Sequence, residues 1–109
     1  MAKALDINFE ISGTKIFLPF SAICTVTDKE FSGQVIIEYH PNSRVLEYVD
    51  IENFVNHVCQ KKVTAEELVD QVYREVESSI LPKYLKITTD IKHSDAHQPV
   101  QVWKEGNIA

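Results

Sequence analysis

The chain has 109 residues, 44% of them apolar and 25% charged, with a formal net charge of -5. That is the make-up of a single globular domain, 1–109, with a modest core. The negative balance argues against general attraction to nucleic acid or acidic membranes, and no run approaches the ~20 apolar residues of a membrane span.

In chain order, Leu5, Ile7, Phe9 and Ile11 alternate with Asp6, Asn8 and Glu10, which predicts a half-buried strand. Ser12-Gly13 reads as a turn, and Lys15 to Leu18 as a strand pairing back until Pro19 interrupts it. Residues 20–33 read as an irregular polar loop around Cys24. Gln34 to His40 is a strong strand centred on Val35, Ile36 and Ile37; Pro41-Asn42-Ser43 ends it, and Val45 to Tyr48 is a short extension.

A first helix is expected from Asp50 to Gln60, with Ile51, Phe54, Val55, Val58 and Cys59 on its apolar stripe. A second is expected from Thr64 to about Ile80, opened by a Thr64–Glu67 capping box and closed by Leu81-Pro82. Leu85, Ile87, Thr89 and Ile91 alternate as a third long strand. His93 to Gln98 is a polar loop, Val100 to Trp103 a last strand, and the tail is expected to fray from about 105. Strands, then helices, then strands give an α+β fold, with the helices on one face of an antiparallel sheet.

Two cysteines, Cys24 and Cys59, show no metal-type C-x-x-C spacing, and a disulfide framework is not expected. With no apolar leader segment, the expectation is a reduced, cytoplasmic protein. Cys59 belongs to a helix stripe and reads as a small core hydrophobe. Cys24 sits among Ser21, Thr25, Thr27 and Asp28, where a polar loop can tune a thiolate into a nucleophile. Glu66 tops the stripe of Val69, Tyr73, Val76 and Ile80. It is either a first-turn acid favoured by the helix dipole or a carboxylate that accepts two hydrogen bonds from an amidine-like purine edge. Asp28 and Glu30 are candidate proton donors near Cys24. The four histidines form no compact ligand set, so no metal is expected, and no phosphate-binding glycine loop is present.

The segment Phe20-Ser21-Ala22-Ile23-Cys24-x-x-Thr27 resembles the cysteine loop of the QueF family, the nitrile reductases of queuosine biosynthesis. Ile36-Ile37-Glu38-Tyr39-His40-Pro41 is similar to that family's strand ending in Tyr-x-Pro. Glu47 falls at the first residue of its Glu-Ser-Lys-Ser-Leu-Lys segment. Pro82-Lys83-Tyr84 resembles its Pro-Arg-Tyr, which puts Glu66 on the purine-binding glutamate. The resemblance covers roughly 20–91. It implies a tunnelling fold (T-fold): a four-stranded antiparallel sheet with two helices on one face, joined into oligomeric barrels with active sites between subunits. It also implies that Cys24 attacks the nitrile of 7-cyano-7-deazaguanine, giving a covalent thioimide, with Glu47 lining the pocket.

Asp50-Ile51-Glu52 stands where the reductases carry Ser-Leu-Lys for the nicotinamide cofactor, and His93 to His97 stands where they carry Arg-Gly-Gly. This pattern looks like the QueF-like amidinotransferases of archaeosine formation, which need no cofactor. There, ammonia attacks the thioimide and releases an amidine on a base within tRNA; a base in DNA is the variant. The family's acid lies where this chain has Phe31, leaving Glu30, with Asp28 as fallback. Its histidine before the glutamate is here Ala65, with His57 a candidate replacement. Lys61, Lys62, Arg74, Lys83 and Lys86 are the candidate basic face for tRNA. The alternatives are the cofactor-dependent reductase and a non-catalytic purine-binding T-fold module.

Overall fold

A computed structural model describes residues 2–109. Eight elements follow one another: β1 (Ala4–Asp6), β2 (Thr14–Ile23), β3 (Glu30–His40), β4 (Arg44–Leu46), α1 (Tyr48–Val58), α2 (Ala65–Ile80), β5 (Tyr84–His93) and β6 (Val100–Asn107). Four of the strands form an antiparallel sheet in the order β2-β3-β5-β6. The short β1 and β4 make a separate antiparallel pair, with Ala4 opposite Leu46.

The core lies between one face of the large sheet and the helices. Along β2, Ile16, Leu18, Phe20 and Ala22 are buried and their neighbours are exposed. Val35, Ile37 and Tyr39 continue that face on β3, and Leu85, Ile87, Thr89 and Ile91 on β5. Against it α2 lays Leu68, Val72, Val76 and Ile80, and α1 lays Ile51, Val55 and Val58, all buried. The period of two on the strands and the 3.6-residue stripe on α2 thus meet in one apolar layer. The Tyr39 hydroxyl closes the layer by accepting the Leu46 amide at 3.1 Å.

The α+β expectation holds, and both helices start within about two residues of where the sequence puts them. The capping box is complete, and Leu81 ends α2 in the left-handed region at φ 43°. Four local expectations change.

The N-terminal alternation does not make a long strand. Pairing stops at Asp6, and Leu5, Phe9 and Ile11 are exposed. Pro19 does not break β2, because β2 is an edge strand with a partner on one side only. The irregular stretch shrinks from 20–33 to 24–29, since β2 runs on to Ile23 and β3 begins at Glu30. Finally, β6 continues to Asn107, past the point where fraying was expected. Its polar residues suit an exposed edge: Lys104 pairs with Asp70 at 2.9 Å and lies 4.6 Å from the centre of the Tyr73 ring.

Candidate active site around Cys24

Cys24 directly follows β2, at the point where the chain leaves the sheet. Its amide donates to the Lys29 carbonyl at 2.9 Å, and its own carbonyl accepts the Asp28 amide at 2.9 Å. Residues 25–28 therefore form a tight four-residue hairpin loop, whose last member, Asp28, takes the left-handed conformation at φ 62°. A second anchor comes from the α1–α2 link: the Val63 amide donates to Ile23 at 3.0 Å, and Cys24 bridges Val63 in parallel fashion. Because Thr64 is the N-cap of α2, this anchor sets the first turn of α2, and so Glu66, beside the cysteine loop.

The result is a cavity of about 280 Å³, at the small end of ligand-pocket sizes. Cys24, Glu30 and Glu66 all line it. Its floor is apolar, from Phe31, Ala65, Ile91, Val100 and Val102, and Ser94, Asp95 and Ala96 of the β5–β6 loop form one wall. Lys29 ties that wall to the cysteine loop through Asp95, at 2.8 Å. Both groups are exposed, so the tie contributes little to stability.

The thiol of Cys24 is held below its ordinary value. The Thr27 amide is the first cause, followed by the Thr27 hydroxyl and the Val26 amide, all of which hydrogen-bond the sulfur. Slight burial and the nearby Glu66 carboxylate push the other way. Burial raises the Cys59 thiol instead. Both cysteines pack partly against the core, and their thiols shift in opposite directions, Cys24 down and Cys59 up.

Other sequence candidates lie elsewhere. Glu47 caps α1, accepting the Asp50 amide at 2.6 Å, and does not line the Cys24 cavity. Asp28 sits in the hairpin loop but pairs outward with Lys62. His57 is exposed on α1 beside Asn53 and Phe54, away from the cavity. Within the candidate basic face, Lys62 and Arg74 are each engaged by a carboxylate, Asp28 and Asp70. Sequence reasoning missed the wall of Ser94, Asp95 and Ala96, because nothing local in a polar loop shows which hollow it borders. Among the described residues, no group of three or more His, Cys, Asp or Glu could hold a metal ion, and no helix is long and apolar enough to cross a membrane.

The four-stranded antiparallel sheet with two helices on one face is a T-fold-like α+β arrangement, and a thiol and two carboxylates, Cys24, Glu30 and Glu66, line one hollow. No protein-family model matches the chain. In sequence it is 28% identical over 90 residues to the NADPH-dependent 7-cyano-7-deazaguanine reductase of Sulfurimonas denitrificans, a match covering 81% of this chain and 72% of that enzyme. Reductases of the same description from Campylobacter jejuni and Campylobacter lari are 27% identical over 77 residues, covering 70% of this chain and 61% of each. In structure it is similar to the apo crystal structure of the archaeosine synthase QueF-Like, with a TM-score of 0.80 at 23% identity, covering 89% of this chain and 95% of that one. The structural likeness speaks for the fold, and the sequence matches fall on the reductase side of the same group. The resemblance to the QueF group therefore holds in sequence and in fold.

Proposed function

We propose that the protein converts the nitrile of 7-cyano-7-deazaguanine to an amidine, on a base carried in nucleic acid, with tRNA the leading carrier. The observation that supports this best is the convergence of Cys24 and Glu66 on one cavity. The chemistry balances without a redox partner. The Cys24 thiolate adds to the electrophilic nitrile carbon, and the nitrogen takes a proton from Glu30, which gives a thioimide. Ammonia then adds to the same carbon, the carbon–sulfur bond breaks, and sulfur leaves as thiolate. The proton shed by the former ammonia stays with the product amidine or returns to Glu30. Glu66 anchors the purine edge by accepting its paired N–H donors, and Asp28 is the fallback acid.

In this reading the exposed edges of β2 and β6 join copies into barrels, and Glu47 meets the site from a neighbouring copy. Backbone groups on such edges are a ready template for strand pairing.

The test is an intact-protein mass measurement with the free nitrile base. A covalent gain equal to the base is expected in the wild type and absent in Cys24→Ala. An adduct that persists in Cys24→Ala sinks the proposal, and reversible, Glu66-dependent binding without any adduct identifies a non-catalytic purine module instead. The reductase is the second reading, favoured by the names of the sequence relatives. It predicts base-dependent oxidation of NADPH, followed by absorbance, whereas the transferase reading predicts none.

A further inference from the structure

The loop that carries Cys24 and the β5–β6 loop leave the large sheet at the same end. Ser32–His93 is the last pair joining β3 to β5 in that direction. Beyond it the two chains part: β3 reaches back to Glu30 paired with β2 alone, and residues 94–99 lie between β5 and β6. The Lys29–Asp95 ion pair, at 2.8 Å, reconnects them. Both residues line the Cys24 cavity, and both side chains are more than half exposed, at 63% and 57%. The pair therefore stands at the rim, between the apolar floor and solvent.

Its two supports differ in stiffness. Lys29 is held by its backbone, whose carbonyl accepts the Cys24 amide at 2.9 Å and whose amide donates to Thr27 Oγ1 at 3.3 Å. Asp95 sits in a short polar turn. There Ser94 Oγ accepts the Ala96 amide at 3.2 Å, and His97 takes the left-handed conformation at φ 60°. A loop with few buried contacts opens at little cost, and an exposed ion pair is weak enough to break with it.

We propose that the Lys29–Asp95 pair is a strap that determines how large a group can reach Cys24. Closed, it draws the wall of Ser94, Asp95 and Ala96 against the cysteine loop, which leaves the cavity of about 280 Å³ at the small end of ligand pockets. Open, it lets the wall move away and admits a small base together with what the base is attached to. The inference rests on the reading of this cavity as the place where a base carried in nucleic acid meets Cys24. It deepens that reading by assigning the residues that discriminate by size.

The experiment compares two alkylating agents with the same reactive group, iodoacetamide and the wide, uncharged N-pyrenyl iodoacetamide. Both rates are read by intact mass in a Cys59→Ala background, so that the gain reports Cys24 alone. Taking the pyrenyl-to-small ratio cancels any change in the thiol itself. In Asp95→Asn and in Lys29→Gln that ratio should rise about threefold, the scale set by a weak exposed pair. With Lys29 and Asp95 intact it should rise likewise on adding about 1 M salt, which screens exposed charges, and the two variants should lose this response. The exchanged pair, Lys29→Asp with Asp95→Lys, should restore both the low ratio and its dependence on salt. A ratio in the single variants equal to that of the intact pair overturns the proposal, as does an exchanged pair as open as the singles, or an intact pair indifferent to salt. The salt arm leaves Lys29 and Asp95 unaltered, so it decides the matter even where a variant fails to fold. The nitrile-adduct measurement is run on the same proteins. A change of ratio with no nitrile adduct leaves the strap standing and removes the substrate assignment. An adduct with a flat ratio does the reverse.

Discussion

Gly33 sits at a register shift between β3 and β5, and replacing it gives a sharp test of the site's architecture. A Cβ at this position lies 1.9 Å from the Asp90 carbonyl oxygen and 3.0 Å from both the Asp90 carbonyl carbon and the Lys92 amide nitrogen. These are backbone atoms of the neighbouring strand, so no side chain can swing away to relieve the contact. The two strands must separate by more than an ångström at that point, in a sheet held by continuous pairing from Gly33 to His40 on one side and by the Ser32–His93 pair on the other.

Overpacking of this kind costs about 1–3 kcal/mol, and a contact against backbone belongs at the upper end, about 3 kcal/mol. For a chain of this size, Gly33→Ala should lower the urea midpoint by roughly 2 M at unchanged slope. The same displacement moves Ile91 and Ser94, which border the Cys24 cavity, so Cys24 alkylation should also lose its pH profile. Urea titration followed by circular dichroism reads the first effect. A Gly33→Ala protein within about 0.5 kcal/mol of wild type, the level of an ordinary surface change, would refute the argument that this close approach sets the strand spacing.

Three further outcomes follow from the charges. Glu66→Gln removes a carboxylate that pushes the Cys24 thiol up, so alkylation of Cys24 should reach its half-point at a lower pH even as binding of the base is lost. In the wild type at pH 7, a limiting amount of iodoacetamide should label Cys24 before Cys59, which peptide mapping resolves, because the turn lowers the first thiol and burial raises the second. Tyr84 donates to Glu105 at 2.7 Å, and this bond is the main cause that pushes its hydroxyl up to about 12. The folded value lies above the unfolded one of about 10, so the stabilisation is complete below pH 10 and is lost as pH rises toward 12. Tyr84→Phe should flatten that decline in the melting temperature, measured at intervals between pH 9 and 12.

The sequence showed most clearly those parts of the fold whose signal is local. The stripe of α2 and its Thr64–Glu67 box appear in the structure as read, because capping and amphipathic periodicity act over a few neighbouring residues. The cysteine loop was harder. Pro19 and the polar residues after Phe20 suggest irregular chain, yet Leu18, Phe20 and Ala22 keep the alternation going underneath. Which strand ends up at an edge is a non-local fact, and it decides whether a proline is tolerated. The long alternation of Leu5 to Ile11 misleads for a related reason: a period of two makes a strand only where a partner is available, and β4 offers one to just three residues. Cys24, Glu30 and Glu66 were legible as separate residues, and the structure brings them to one hollow. Glu47 read as a pocket residue, and within one chain its carboxylate is taken by the start of α1.

The cavity is drawn from the β2–β3 loop, β3, β5, the β5–β6 loop, β6 and the first turn of α2, and one short contact does much of the aligning. Val63 hydrogen-bonds Ile23 immediately before the N-cap of α2, so the backbone that ends at the thiol and the backbone that begins at the carboxylate are fastened together. This closeness has an electrostatic cost, since Glu66 disfavours the thiolate it faces. The turn offsets that cost locally, with two amides and a hydroxyl at the sulfur. A purine edge that hydrogen-bonds Glu66 spreads its negative charge, and the opposition weakens as the pocket fills. The same carboxylate that holds the base in this reading therefore also restrains the thiol while the pocket is empty. Neither group need be buried for this to work, because both effects act across a single small hollow at short range.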